Sequence, residues 1–341
     1  METGVDGTAP VLRILGLMVK DTKRKRGVFG MGRKNYRIAS RDGIHRLHVV
    51  LWQPEGTVRA VVQISHGMVE MIERYEAFAL YLNNHGIAVI GNDHLGHGQT
   101  AEKEEDLGYF CPKNMSATVV ADLHRVTRFA KKKFPKVPYF LFGHSMGSFM
   151  ARRYLITYGR ELTGAVLCGT GSKPPEVLAA GTVVSNILRL ILGDRFRSRL
   201  LKWNAFGMYQ KRIPNPRTNS DWLTRESEIV DFCINNKYCN FIFTVNGYRT
   251  LFEVIGFIQR KENIARIPKW LPILLIAGEE DPVGDYGTGV LQVYMDYHHA
   301  GMRDVRLRLY PEARHEIINE INRDVVYKDV LRWLERHLDF L

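Results

Sequence analysis

Cysteine is scarce in this sequence: Cys111, Cys168, Cys233 and Cys239 are the only four in 341 residues, and no two of them form a C-x-x-C pair. That scarcity excludes a disulfide framework and a four-ligand zinc site, and the four read as reduced thiols. Long apolar runs are also missing. No stretch approaches the roughly 20 residues that a membrane-spanning helix needs. The best, Val11 to Val19, is broken by Arg13 and Gly16, with Glu2 and Asp6 ahead of it and a basic cluster behind, the reverse of a signal peptide. The expectation is a cytoplasmic protein without an integral span. Acidic residues are in deficit, 36 against 48 lysines and arginines, for a formal charge of +12. Such a surplus favours anionic partners, and without a nucleic-acid motif to accompany it no nucleic acid is expected. No internal repeat is present, and 45% hydrophobic with 25% charged residues excludes collagen-like and disordered chains.

What is present is enough length for two domains, or one large domain with an insertion, at about 150 residues each. Residues 1–34 read as a basic extension carrying Lys20, Lys23, Arg24, Lys25, Arg26, Arg33 and Lys34. It is either a solvated tail or a peripheral contact with an anionic membrane, to which the insertion described below could add. From residue 35, short apolar runs alternate with helix-period segments, the pattern of a mostly parallel α/β sheet with crossover helices. Tyr36 to Ile38 and Leu47 to Trp52 form a leading hairpin through Asp42-Gly43. Ala60 to Ser65, Ile87 to Gly91, Tyr139 to Phe142, Ala165 to Cys168 and Ile273 to Ala277 read as buried parallel strands. Val305, Leu307 and Leu309 alternate with Arg306 and Arg308, so the last strand has one wetter face. The rhythm breaks over 171–268, where Val184, Ile187, Leu188, Ile191 and Leu192 keep a helical period; this is a helical insertion, or cap, between core segments 35–170 and 269–341.

Gly143-His144-Ser145-Met146-Gly147 is a G-x-S-x-G pentapeptide directly after an apolar run and directly before a helical pattern. A serine turned sharply between strand and helix is strained, presents its hydroxyl outward, and needs small flanking residues. The helix beginning there aims free N–H groups at the site, so the Met146 N–H can serve a developing oxyanion. A serine nucleophile requires a histidine base oriented by a carboxylate. Asp281 follows the last buried strand at its C-terminal end, with Pro282 behind it; Asp285 is the fallback, and Glu279 and Glu280 are expected to face solvent. His315 falls in a loop before the last helix, completing the order Ser145, Asp281, His315. The second oxyanion donor is expected from His66-Gly67-Met68-Val69-Glu70, as the Met68 N–H, with His66 and Glu70 bracing the loop. Asn92 to Gln99 holds Asp93, His94 and His97, but its glycines fit a tight loop better than a metal site, and no third ligand is evident elsewhere. No metal or organic cofactor is expected.

At these residues the chain resembles the serine α/β-hydrolases grouped as monoacylglycerol lipases, lysophospholipases and the serine aminopeptidase S33 type. His66 to Glu70 resembles the HGxxE oxyanion loop of that family, and Arg74-Tyr75 and Asp93 to Gly98 resemble its RY and DHxGHG segments. Gly143 to Gly147 matches the GHSMG elbow, while Asp281 to Val283 and His315 to Ile317 match the acid and base segments. The resemblance runs from about residue 36 to the end and is weak in the insertion. It implies an α/β-hydrolase fold with a helical cap and a triad of Ser145, Asp281 and His315. The implied oxyanion hole is formed by the Met68 and Met146 N–H groups. It also implies ester hydrolysis of a monoacylglycerol or lysophospholipid, with a short-chain ester, a thioester or a noncatalytic binding role as alternatives.

Overall fold

The computed structural model describes residues 32–338. β1 (Gly32–Ala39) and β2 (Arg46–Gln53) pair antiparallel from Gly32 opposite Gln53 to Ala39 opposite Arg46. Asp42 sets their turn by accepting the N–H groups of Ile44 and His45 at 2.9 and 3.0 Å, while Gly43 takes a φ of +79°. The sequence boundary at residue 34 is thereby corrected. Arg33 and Lys34 belong to β1, held by cross-strand pairing to Trp52 and Leu51 and by a 3.1 Å ion pair from Arg33 to Glu76. Residues 1–31 of the expected extension lie outside the described residues.

β3 (Ala60–Ser65), β4 (Ile87–Asn92), β5 (Tyr139–His144), β6 (Gly164–Cys168), β7 (Ile273–Gly278) and β8 (Val305–Tyr310) complete the sheet. Its order is β1-β2-β4-β3-β5-β6-β7-β8, antiparallel across β1-β2-β4 and parallel beyond. The helices are α1 (Glu76–Asn83), α2 (Met115–Lys133), α3 (Met146–Tyr158), α4 (Pro175–Leu192), α5 (Arg199–Phe206), α6 (Ser227–Asn235), α7 (Val245–Ile258), α8 (Lys261–Ile264), α9 (Thr288–His299) and α10 (Arg323–Arg336).

The continuous apolar runs follow from burial on both faces. Val61, Leu141 and Leu275 enter one core with Leu123 of α2, Met150 of α3 and Val293 of α9. Their strand neighbours Val62, Phe140 and Leu274 enter the opposite core with Phe78 of α1 and Val330 of α10. β8 is an edge strand with Arg306 and Arg308 exposed, as its alternation predicts.

Helices α4 to α8 all lie between β6 and β7. α4 departs from the sequence reading. It is 18 residues long with a mean hydropathy of 1.4, long and apolar enough by length and composition to cross a membrane. Its apolar stripe does not face inward as a whole: Val184 and Leu188 pack on the core, but Leu190 and Ile191 are 75% and 72% exposed. The apolar residues run round more of the helix than the core covers, and the covered face also holds polar positions: Ser185 is buried and Asn186 accepts a 2.9 Å bond from Arg249 of α7.

Candidate active site

Ser145 sits between β5 and α3 with φ +52° and ψ −125°, a backbone conformation that side-chain-bearing residues seldom adopt. Its flanking glycines are steric requirements. A Cβ on Gly143 would stand 2.6 Å from the Gly147 carbonyl oxygen, and one on Gly147 would overlap the carbonyl oxygens of Ser65 and His66. The Ser145 N–H donates to the Cys168 carbonyl at 2.9 Å, fixing the elbow to the end of β6. Its side chain is half-buried, and among the described residues its hydroxyl makes no hydrogen bond.

His315 and Asp281 are brought together. His315 Nδ1 donates to Asp281 Oδ1 at 2.9 Å, and the same oxygen accepts the Val283 N–H at 2.8 Å. Both residues are buried, and the His315 ring lies 4.9 Å from that of His144, the residue before Ser145. Asp285 turns away, accepting from Thr288 Oγ1 at 2.7 Å, and Glu279 and Glu280 are exposed.

The loop after β3 lies against the elbow: a Cβ on Gly67 would come within 3.1 Å of Ser145 Cβ. Neither the Met68 nor the Met146 N–H has an acceptor among the described residues. Met146 opens α3, where first-turn N–H groups have no helical partner and the helix dipole favours negative charge. Two unengaged donors beside a serine can stabilise an oxyanion.

Beneath the loop lies a charged network that sequence spacing did not reveal. Glu70 Oε1 accepts from the Gly67 N–H, from Tyr75 Oη at 2.9 Å and from His144 Nδ1 at 3.1 Å. Glu70 Oε2 accepts from Arg74 at 3.0 Å, and Arg74 reaches Glu316, beside His315, with both terminal nitrogens. Burial alone would raise the Glu70 carboxyl, but His144 and Arg74 hold it well below the usual carboxylate range. Burial would lower His144, yet the Glu70 carboxylate raises it above the ordinary imidazole value. The sequence places Glu70 as a brace of this loop, and its bond from the Gly67 N–H is that brace; the links onward to His144 and Glu316 leave no trace in spacing. His66 braces the loop differently, its Nε2 accepting the His94 N–H at 3.0 Å.

Asp93 supports the same loop, accepting the Ile72 N–H at 2.8 Å and the Gln99 N–H at 2.7 Å. The structure corrects the reading that no further ligand types stand near Asp93, since His48 and Glu73 bring potential donor atoms within 4.8 Å of its own. Part of this set is engaged: His48 Nδ1 donates to Asp93 at 3.2 Å, Gln99 donates to Glu73 Oε1 at 3.0 Å, and Arg33 lies 3.5 Å from the same oxygen, while His48 Nε2 and Glu73 Oε2 are buried without partners among the described residues. Through Asp93 the cluster ties residues 72 and 99 to β2.

Comparison with known proteins gives the family and the fold. The model of the serine aminopeptidase S33 family matches residues 56–322. A monoacylglycerol lipase of Mycolicibacterium smegmatis is 25% identical over 324 residues, covering 94% of this chain and all of that one. A monoglyceride lipase of Rattus norvegicus is 26% identical over 81% of this chain and 86% of its own. Among solved structures, a thermostable carboxyl esterase from Bacillus coagulans in complex with glycerol superposes with a TM-score of 0.84 at 30% identity, covering 91% of this chain and all of that one. With the family model spanning well over half of its length, this chain belongs to the serine aminopeptidase S33 family and has the α/β-hydrolase fold.

Proposed function

We propose that this protein hydrolyses carboxylic esters of single-chain lipids, monoacylglycerol or lysophospholipid, through an acyl-enzyme on Ser145. The observation that carries the reading is a strained, half-buried serine whose neighbour His144 lies 4.9 Å ring to ring from His315, the buried His315–Asp281 pair at 2.9 Å, and two backbone N–H donors without acceptors among the described residues. Ser145 Oγ attacks the ester carbonyl while His315 Nε2 takes its proton, and Asp281 holds the tautomer and stabilises the imidazolium. The Met68 and Met146 N–H groups receive the oxyanion, His315 returns the proton to the leaving alcohol, and water repeats the sequence to release the acid. The relatives named as monoacylglycerol and monoglyceride lipases support the lipid substrate. Likeness to the carboxyl esterase favours a second reading, a short-chain esterase. A series of p-nitrophenyl esters from two to sixteen carbons separates the two: a maximum at long chains supports the lipid reading, and one at two to four carbons the second. Fluorophosphonate labelling of wild type and its absence in Ser145→Ala tests the nucleophile itself.

Residues 171–268 act in this reading as the cap over the acyl chain, and the protein works in the cytoplasm at the surface of an anionic membrane. The exposed Leu190 and Ile191 of α4, the exposed Leu200 and Trp203 of α5, and the basic residues Arg189, Arg195, Arg199 and Lys202 among them support that contact, which residues 1–34 would reinforce.

A further inference from the structure

The loop that carries His315 is fastened to the insertion. Segment 221–225, between α5 and α6, runs along residues 314–320 and bonds to them repeatedly. The His315 N–H donates to the Trp222 carbonyl at 3.4 Å and the Glu316 N–H to the Leu223 carbonyl at 2.7 Å. Arg314 Nη1 donates to the Asp221 carbonyl at 2.6 Å, and Thr224 Oγ1 to the Asn319 carbonyl at 3.2 Å. Arg225 Nε pairs at 3.0 Å with Glu320, whose carboxylate is fully buried and also accepts the Arg314 N–H.

Side chains repeat the attachment. The Trp222 indole covers the His315 imidazole with ring centroids 5.2 Å apart and planes 37° apart. Behind Trp222, Phe206 stacks at 6.0 Å and 16°, and Tyr209 meets it edge-on at 4.9 Å. The Asp281 bond fixes only Nδ1, and an imidazole held by one hydrogen bond can still rock about that bond and carry Nε2 away from Ser145. The His144 ring lies 4.9 Å from the imidazole, and the Trp222 face against it, itself wedged by two further rings, restricts that freedom further.

We infer that Trp222 is a positioning residue for this reaction: from the insertion, it seats the His315 ring so that Nε2 faces the nucleophile. The inference rests on the reading of Ser145 and His315 as nucleophile and base. The active centre then depends on two chain segments that meet only in the fold, the base loop and residues 221–225.

The test measures kcat and KM on p-nitrophenyl butyrate for wild type, Trp222→Phe, Trp222→Ala and Ser145→Ala, with melting temperatures alongside. The expected result for Trp222→Ala is a kcat lower by about 10- to 100-fold with KM within about twofold of wild type. Trp222→Phe, which keeps an aromatic face, is expected to recover most of kcat. Wild-type kcat in Trp222→Ala, or a loss confined to KM, overturns the inference while leaving the nucleophile intact. Activity surviving in Ser145→Ala instead overturns the reading beneath it. Should Trp222→Ala unfold below the assay temperature, Trp222→Leu, which retains bulk without an aromatic face, is held to the same two outcomes.

Discussion

His97 shows how burial turns a single side chain into a pH-dependent element of stability. Its Nδ1 donates to the Leu95 carbonyl at 3.0 Å, and its ring is packed against Phe110 and Phe243 at 5.6 and 5.3 Å. Burial, assisted by repulsion from His66, pushes its pKa down to about 3. Between that value and the unfolded value near 6.5, the unfolded chain holds a proton that the folded chain does not. Its contribution to stability is therefore complete above about pH 6.5 and is lost as pH falls toward 3. His97→Phe is expected to narrow the difference in unfolding free energy between pH 7 and pH 5, by up to about 1.4 kcal/mol per pH unit. Denaturant melts of both proteins at the two pH values check this, and an unchanged difference contradicts it. Gly147 gives a steric counterpart. Because a methyl there overlaps the Ser65 and His66 carbonyls, Gly147→Ala is expected to abolish fluorophosphonate labelling and to destabilise the fold by about 1–3 kcal/mol. A variant that labels and melts like wild type would contradict that account. Ser145 was legible because its constraints are local, a strand, a tight turn and a helix start within a few residues. Glu70 is legible as a brace of its own loop, but its bond from His144, and the contacts of Arg74 and Trp222 with Glu316 and His315, join residues far apart in the chain, and spacing carries no trace of them.

Among the elements, the parallel strands were legible because burial on both faces leaves uninterrupted apolar runs, as in Ile273–Gly278. α4 was legible only as a helix. Helical periodicity reports that one face is apolar, but not whether protein or a lipid surface covers it. With Leu190 and Ile191 largely exposed, the double substitution Leu190→Glu and Ile191→Glu is expected to reduce flotation with anionic liposomes at least several-fold while leaving short-ester hydrolysis intact. Undiminished flotation of that variant would exclude α4 as the contact. β1 was underestimated because its outward positions are polar, and pairing with β2 rather than burial defines it.

For the molecule as a whole, the order of strands, elbow, acid and base along the sequence anticipated the sheet that brings them together, since a parallel sheet gathers successive strand ends on one edge. The geometry of residues 171–268 was not anticipated, because the helix–helix packing and the Trp222 contact there depend on tertiary partners. The central claim is that Ser145, His315 and Asp281 act as one unit on a lipid ester. It is tested most directly by fatty-acid release from a monoacylglycerol and a lysophospholipid by wild type and Ser145→Ala. Turnover by wild type on at least one of the two and a loss of about 10⁶-fold in the variant are expected. Equal rates in the two proteins, or no turnover by wild type on either lipid or on any ester, would contradict it.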